Sequence, residues 1–383
     1  MTYQLYATMA SGIESITAKE LQNLGYETRS DNGRVYFEGD LADIAKTNLW
    51  LRSADRVKIA IGQFEAKTFD DLFEQVKALP WDQYLPLDAA FPVAGRSVRS
   101  TLHSEPDVQA ITKKAIVDKL STVYHRRTRL AETGSVYPLE VSILKDMVTI
   151  SLDTTGPSLF KRGYRLEKGE APLKENFAAS LILLSRWQPD MPFVDPTTGS
   201  GTIAIEAALI GRNIAPGMHR KFAFEDFDWI DATVLADAKA DAKAQEKPDQ
   251  KLEIFGYDID QNMVDIAKLN ANEAGVLHDI QFKQLAVKDF KTDLTNGVII
   301  ANPPYGKRLS DQTQARVLYK EMGDTYRSLK TWSKYILTSD LQFQESFGQR
   351  ATKRRKLYNG RIQTDLFQYW GRPVWPRAEK AEK

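Results

Sequence analysis

The chain has 383 residues, 42% of them hydrophobic and 27% charged, with a formal net charge of +1. Those values exclude a disordered polymer or a membrane bundle and leave room for two or three domains with sizeable cores. Cysteine is absent, so disulfides, cysteine metal sites and thiol nucleophiles are excluded; with no N-terminal signal pattern and no apolar run of bilayer length, a cytoplasmic protein without a metal site is expected.

In chain order, Tyr3 to Ala7 alternates like a strand, and Ser11-Gly12 precedes a helix with Ile13, Ile16, Leu21 and Leu24 on one face, closed by Gly25. Val35 to Glu38 then reads as a strand and Leu41 to Leu51 as a helix, together a small βαβ-type unit. A strand near Arg56–Phe64, a helix from Phe69 to Leu79 and a strand at Phe91–Arg96 follow. The next helix runs from Pro106 to about His125, with Val108, Ile111, Ala115, Ile116, Leu120 and Val123 as its apolar face. Leu139–Leu144 and Met147–Leu152 form a strand pair turning at Lys145-Asp146. Both halves read as α+β layers.

A basic excess lies within residues 91–170, at Arg96, Arg99, Lys113, Lys114, Lys119, Arg126, Arg127 and Arg129, with Lys161, Arg162 and Arg165 after the hairpin. Phosphate backbones bind such a face by releasing condensed cations, which suggests nucleic acid. The plainer alternative is a solvated helix face.

Phe160 to Gly169 is polar and punctuated by glycine, as a linker is, and Lys174–Trp187 is a helix feeding a strand at Phe193. Elements then alternate: helix 202–212, strand 254–257, helix 261–274, strands 280–284 and 298–301, helix 316–330, strand 334–338. Such alternation implies a parallel sheet covered on both faces. Residues 351–358 and 362–370 flank Asn359-Gly360, a hairpin signal, so an antiparallel pair ends the sheet. The alanine- and charge-rich run 236–243 reads as an exposed helix without chemistry.

Two stretches carry the chemistry. Phe193 to Thr202 is a strand entering a turn with Gly199 and Gly201, followed by a helix whose free N–H groups face a ligand. It lacks the Lys-Ser/Thr of a P-loop and does not match G-x-G-x-x-G. The next strand ends in Asp258-Ile259-Asp260; a carboxylate there can accept both ribose hydroxyls, and Asp260 is better placed to cap the following helix. The strand 298–301 ends in Asn302-Pro303-Pro304-Tyr305. The Asn302 side-chain carbonyl and the Pro303 main-chain carbonyl can each accept one N–H of a nucleobase amine, turning its lone pair towards an electrophile, and Tyr305 can stack on the extruded base. Asn-Pro is also an ordinary strand-ending turn.

These paired motifs resemble those of class I S-adenosylmethionine-dependent amino-group methyltransferases. The whole chain resembles the THUMP-containing RNA guanine-N2 methyltransferases, through Gly12-Ile13-Glu14, Leu49–Val57, Leu79-Pro80-Trp81, Lys161–Arg165, Ala171-Pro172-Leu173, Asp195–Thr202, Ile214–Gly217 and Asn302–Gly306. The likeness is greatest to the bacterial enzymes that act on 23S ribosomal RNA. It implies a ferredoxin-like domain over 1–58, a THUMP RNA-binding domain over 59–156, a linker over 157–172 and a Rossmann-like catalytic domain over 173–383.

Position by position, the resemblance implies that Asp195, Thr197, Gly199 and Gly201 cradle the methionine end of S-adenosylmethionine, that Asp258 holds its ribose, and that Asn302, Pro303 and Tyr305 take the target base. Thr198 stands where many relatives have Cys. Ala286 stands where an acidic residue usually reads the adenine, leaving Asp289 or main chain for that contact. Lys161, Arg162, Arg165, Lys353, Arg354 and Arg355 are the candidate RNA contacts, the last three competing with the plainer role of guarding an edge strand. The rivals are tRNA guanine-N2 methylation, adenine-N6 methylation and a non-catalytic RNA-binding assembly factor; pyrimidine C5 methylation, which proceeds through a thiol adduct, is disfavoured.

Overall fold

The computed structural model describes residues 2–126, 130–165, 173–305, 309–360, 362–372 and 374. Arg127 and Arg129 of the expected basic face, Ala171-Pro172 and Gly306 lie outside the described residues. The chain divides into two compact units, one of residues 1–9, 17–159 and 217–241, the other of 10–16, 160–216 and 242–383. No described helix is long and apolar enough to cross a membrane.

The first unit carries β1 (Tyr3–Thr8), α1 (Glu14–Asn23, whose first turn belongs to the second unit), β2 (Arg29–Asp31), β3 (Arg34–Gly39), α2 (Leu41–Trp50), β4 (Arg56–Glu65), α3 (Phe69–Ala78), β5 (Val93–Val98), α4 (Glu105–Val123), β6 (Leu139–Leu144) and β7 (Met147–Asp153). They form one seven-stranded sheet in the order β2-β3-β1-β4-β7-β6-β5. The expected βαβ-type unit contains one strand more than the sequence reading gave it. The three-residue β2 intervenes, and β3 pairs with both β2 and β1 antiparallel, so the unit is a split βαβ with an antiparallel sheet. Asp40 and Thr68 start α2 and α3 with reciprocal capping boxes to Asp43 and Asp71. The β6–β7 turn has Lys145 and Asp146 at φ +52° and +65°, the pair of positive values that a two-residue hairpin matched to strand twist requires.

The inner polar face of this sheet shows how strongly it curls. Arg34 on β3 donates to Thr149 on β7 and to Ser142 on β6, each at 2.9 Å, although β3 and β6 are four places apart, about 19 Å in a flat sheet. Tyr6 donates to Ser151 at 2.9 Å, and Lys58 pairs with Glu140 at 2.7 Å with only 3% of its side chain exposed. Residues 217–241, part of the expected catalytic domain, pack in this unit: Phe227 stacks on Tyr137 at 4.8 Å and Trp229 Nε1 donates to the Tyr84 carbonyl at 3.0 Å.

The second unit contains α5 (Glu175–Leu184), β8 (Phe193–Asp195), α6 (Thr202–Gly211), the end of α7 (Thr233–Ala244), β9 (Ile254–Asp258), α8 (Gln261–Glu273), β10 (Ile280–Gln284), β11 (Val298–Ala301), α9 (Leu309–Tyr326), β12 (Ser333–Thr338), α10 (Phe343–Phe347), β13 (Lys353–Asn359) and β14 (Ile362–Tyr369). The sheet order is β10-β9-β8-β11-β12-β14-β13. The strands β8 to β12 pair in parallel, and β14 joins β12 antiparallel with β13 outside it. The chain runs outward from β8 to β10, then returns to β11 on the other side of β8, making a switch point between β8 and β11, where open α/β sheets bind ligands.

α6 is almost wholly buried and apolar, yet it carries Glu206 with no exposed surface. That carboxylate faces Arg162, 3.4 Å from Nε and itself buried, and accepts from the Tyr164 hydroxyl at 3.1 Å. Residues 160–165, part of the polar stretch read as a linker, are thus packed into the second unit. Removing one partner of a buried pair strands the other charge. Glu206→Leu should lower unfolding free energy by about 3–5 kcal/mol in urea titrations, whereas a loss below about 1 kcal/mol would be the behaviour of an exposed pair.

Candidate active site

Three parallel strands deliver the expected residues to one sheet edge. Asp195 ends β8 and lies in register with Gly256 of β9; two residues on, Asp258 ends β9 and lies in register with Gln284, the last residue of β10. On the other side of β8, Val298 and Ile299 of β11 pair with Phe193 and Val194, so Asn302, just past β11, emerges at the same edge one strand spacing of about 4.8 Å away. The expected convergence of the glycine turn, the strand-end carboxylate and the Asn-Pro-Pro-Tyr turn is therefore present.

The turn after β8 is built on two positive φ values, +51° at Gly199 and +86° at Gly201. A Cβ at Gly201 would lie 3.0 Å from that of Ala267 on α8, whereas one at Gly199 would meet nothing within 4 Å. Gly201 is thus required by close helix packing and Gly199 borders open space. The Thr198 N–H donates to the Tyr257 carbonyl at 2.7 Å and the Gly199 N–H to Asp258 at 2.9 Å. Asp258 also accepts from the Asp260 N–H at 3.0 Å, so its carboxylate braces the turn; each oxygen keeps a further lone pair for a ribose hydroxyl. Asp260 caps α8 by accepting from the Asn262 N–H at 2.9 Å, as the sequence indicated.

Asp195 is 1% exposed. Burial raises its carboxyl to about 7, against the pull of the Thr198 hydroxyl and the Thr197 N–H, and with a smaller push from Asp258. Its Oδ2, the Thr197 hydroxyl and the Nη1 of Arg165 are buried with no hydrogen-bond partner among the described residues. Unmatched buried polar atoms are rare and point to a missing partner. A cofactor with a charged, hydrogen-bonding amino-acid end fits this cradle. Asp289 is exposed, on a single 3₁₀ turn after β10 that starts from Ala286.

The Asn302 side-chain carbonyl accepts a hydrogen bond from the Tyr305 hydroxyl, so the acceptor expected to receive a base amine is capped by its own neighbour. Burial pushes the Tyr305 phenol far above its ordinary value, while the Asn359 side chain from the β13–β14 hairpin, in hydrogen-bond reach, opposes the shift. The Tyr319 hydroxyl on α9 donates to the Pro304 carbonyl at 3.1 Å and lies 2.9 Å from the Thr338 hydroxyl. With the Tyr319 proton so used, Thr338 must donate to Tyr319, and Thr338 itself accepts from the Asp340 N–H at 3.1 Å. This one-way chain sets the direction of the turn. The roles of Tyr319, Thr338 and Asn359 at this turn escaped the sequence reading. So did Ile259, 72% exposed at the same edge; its one signal was an apolar residue between two carboxylates.

The basic candidates separate. Lys161 and Lys353 are exposed. Arg162 faces Glu206, and Arg165 pairs with Glu175 at 2.9 Å with 10% of its side chain exposed, which removes both guanidiniums from the reach of an RNA phosphate and corrects that expectation. Arg354 pairs with Asp365 at 2.6 Å yet remains 42% exposed. Arg355 donates to the Gly12 carbonyl at 2.6 Å and to the Ser15 hydroxyl at 3.0 Å. Within the second unit it therefore fastens residues 12–15 to the edge strand β13. Among the described residues no cluster of three or more potential metal ligands exists.

Family models match three segments: an RlmL ferredoxin-like domain over residues 4–58, a THUMP domain over 66–153, and an RMKL-like methyltransferase domain over 162–368. A Bacillus subtilis (strain 168) protein, YpsC, whose name gives a provisional assignment as an RNA methyltransferase, is 52% identical over 99% of both chains. The ribosomal RNA large subunit methyltransferase K/L of Shewanella sp. (strain W3-18-1) is 32% identical over 94% of this chain, which spans about half (52%) of that longer protein. Among solved structures, a Listeria monocytogenes (str. 4b F2365) protein described as a predicted N6-adenine-specific DNA methylase is 58% identical, with a TM-score of 0.93 over 97% of each chain. SMU.472, solved with S-adenosylhomocysteine (SAH) and provisionally described as a methyltransferase, is 53% identical, with a TM-score of 0.93 over 98% of this chain and 99% of that one.

The Asp195 carboxyl gives a pH test of this geometry. Its folded value of about 7 lies above the ordinary 3.8, so the folded state holds the proton more tightly and stability falls as pH rises from about 4 to about 7. Asp195→Asn should stabilise the ligand-free protein by up to about 4 kcal/mol above pH 7, with the gain vanishing near pH 4. Urea titrations at several pH values would show it, and a gain independent of pH would mean that Asp195 carries no such strain.

Proposed function

We propose, for a chain that belongs to the THUMP-containing RNA methyltransferases, that it transfers a methyl group from S-adenosylmethionine to the exocyclic N2 amine of a guanosine in 23S ribosomal RNA. The observation that carries this reading is the shared edge, where the side-chain and main-chain acceptors of Asn302 and Pro303 stand one strand from the unmatched polar atoms of the glycine turn. When bound, the cofactor supplies a methyl group on a sulfonium. Asp195, Thr197 and the turn at Gly199 and Gly201 hold its amino-acid end, Asp258 holds its ribose, and Ile259 with Asp289 or main chain borders its adenine. The Asn302 and Pro303 carbonyls would accept the two N–H bonds of N2 and stabilise the positive charge that develops there as the methyl group exchanges its bond to sulfur for one to nitrogen; the surplus proton leaves to solvent. Tyr305 must release Asn302 before the base enters, and its ring then stacks on that base.

RNA as substrate is supported by the THUMP match and by the names of the curated relatives, and 23S RNA by the K/L relative in particular. We assign residues 59–156 to RNA capture, with exposed Arg96, Arg99, Lys161 and Lys353 as phosphate contacts, and place the protein in the cytoplasm, where ribosomal RNA is found. Adenine N6 is the second reading, since the same acceptor pair suits any exocyclic amine and the Listeria relative is described as an adenine methylase.

Nucleoside mass spectrometry of 23S RNA, tRNA and DNA from a deletion strain should show loss of N2-methylguanosine from the 23S pool alone, restored by the wild-type gene and not by Asn302→Ala. Loss of N6-methyladenosine instead would select the second reading, and normal modification with Asn302→Ala would leave a non-catalytic RNA-binding factor. In single-turnover assays, Tyr305→Phe should retain most of the methylation rate, because the ring remains, while Tyr305→Ala should lose roughly 10- to 100-fold, the scale of one base–aromatic stack. Equal losses would place the function in the hydroxyl.

A further inference from the structure

We propose that Arg165 binds the carboxylate of the cofactor's methionine moiety, as the cationic partner to Asp195 in a two-charge clamp. This rests on the reading that the chain uses S-adenosylmethionine. The guanidinium is held by three hydrogen bonds, with Nε donating to Glu175 at 2.9 Å and Nη2 donating to the Leu173 carbonyl at 2.9 Å and to the Thr202 hydroxyl at 3.0 Å. Nη1 is buried with no partner among the described residues.

Thr202 is the first residue of α6, directly after Gly201, and its hydroxyl lies 3.4 Å from that of Ser200. The guanidinium therefore rests on the mouth of the glycine turn. The α6 N-terminus there has no side-chain cap, and its free N–H groups favour an anion at the same place. A zwitterionic amino-acid end needs one anionic and one cationic partner. Near this turn, the buried charged groups with an unmatched atom are Asp195, through Oδ2, and Arg165, through Nη1. A guanidinium fixed by three bonds on one side and bare on the other is preorganised for a carboxylate. Glu175 has already taken the Nε bond, so the ligand carboxylate approaches Nη1.

A purely structural role is the competing account, since Arg165 ties Leu173, Glu175 and Thr202 together. The test separates them with ligands that differ only at the amino-acid end. Titration calorimetry on the full chain would compare SAH with 5′-methylthioadenosine, which lacks that end, in the wild type, Arg165→Met and Arg165→Lys. Arg165→Met should weaken SAH roughly 10- to 100-fold, the scale of one hydrogen bond to a charged group, and leave methylthioadenosine within about twofold, with Arg165→Lys between. Equal weakening of both ligands, or of neither, would overturn the proposal. Should Arg165→Met fail to fold, the wild type decides through decarboxylated S-adenosylmethionine, which keeps the ammonium. A 10- to 100-fold deficit against S-adenosylmethionine supports the carboxylate contact, and equal affinity overturns it. A wild type that binds neither SAH nor S-adenosylmethionine would refute the cofactor reading itself, a different outcome from a cofactor bound without help from Arg165.

Discussion

The parallel pairing of β8 with β9 on one side and β11 on the other is the constraint on which the site depends. Each pairing is short, three residues with β9 and two with β11, yet together they fix where Asp195, Asp258 and Asn302 leave the sheet. A one-residue slip would turn each strand's side chains to the opposite face and bury the wrong set. The fully apolar burial of Val298 to Ala301 and of Phe193-Val194 makes such a slip costly. The chemistry is thus held by hydrophobic contacts that take no part in it.

Against that firm base, the turn itself carries unfavourable features. A buried carboxyl, an unmatched threonine hydroxyl and an unmatched guanidinium nitrogen stand close to the open space beside Gly199. Each lowers the stability of the ligand-free fold, and each is relieved by a partner of complementary charge. The braces around them are well satisfied: Asp258 is held by two N–H donors, Asp260 by its cap, and the Pro304 carbonyl by a chain running from Asp340 through Thr338 and Tyr319. At this turn the unmatched atoms are ones that would face ligand, and rigidity is given to those that hold them.

Much of this was legible in the sequence, because periodicity and turn chemistry are local. The alternation after Phe193, the glycine turn, the Asp260 helix cap and both hairpins need only neighbouring residues to be recognised. What escaped depended on distance. Three polar residues, Arg29-Ser30-Asp31, form a strand because β3 pairs with them, and α9 begins at Leu309, well before the position at which its pattern becomes apolar. Residues 217–241 pack on Tyr84 and Tyr137, far away in sequence. The sign of a charge also says nothing of its direction: Arg162 and Arg165 looked like phosphate contacts, and both point inward to carboxylates on α6 and α5.

The long strand β4 joins two pieces that the family models treat as separate. It pairs with β1 through Arg56 to Ile59 and with β7 through Lys58 to Glu65, so its first half is a shared wall. A chain cut at residue 58 would leave the upstream fragment without a complete fourth strand and the downstream fragment with an open, hydrogen-bond-hungry margin, while Arg34 and Tyr6 would lose their partners on β6 and β7. Two segments matched by separate family models are here welded into a single sheet, and a pull on one of them must be felt by the other.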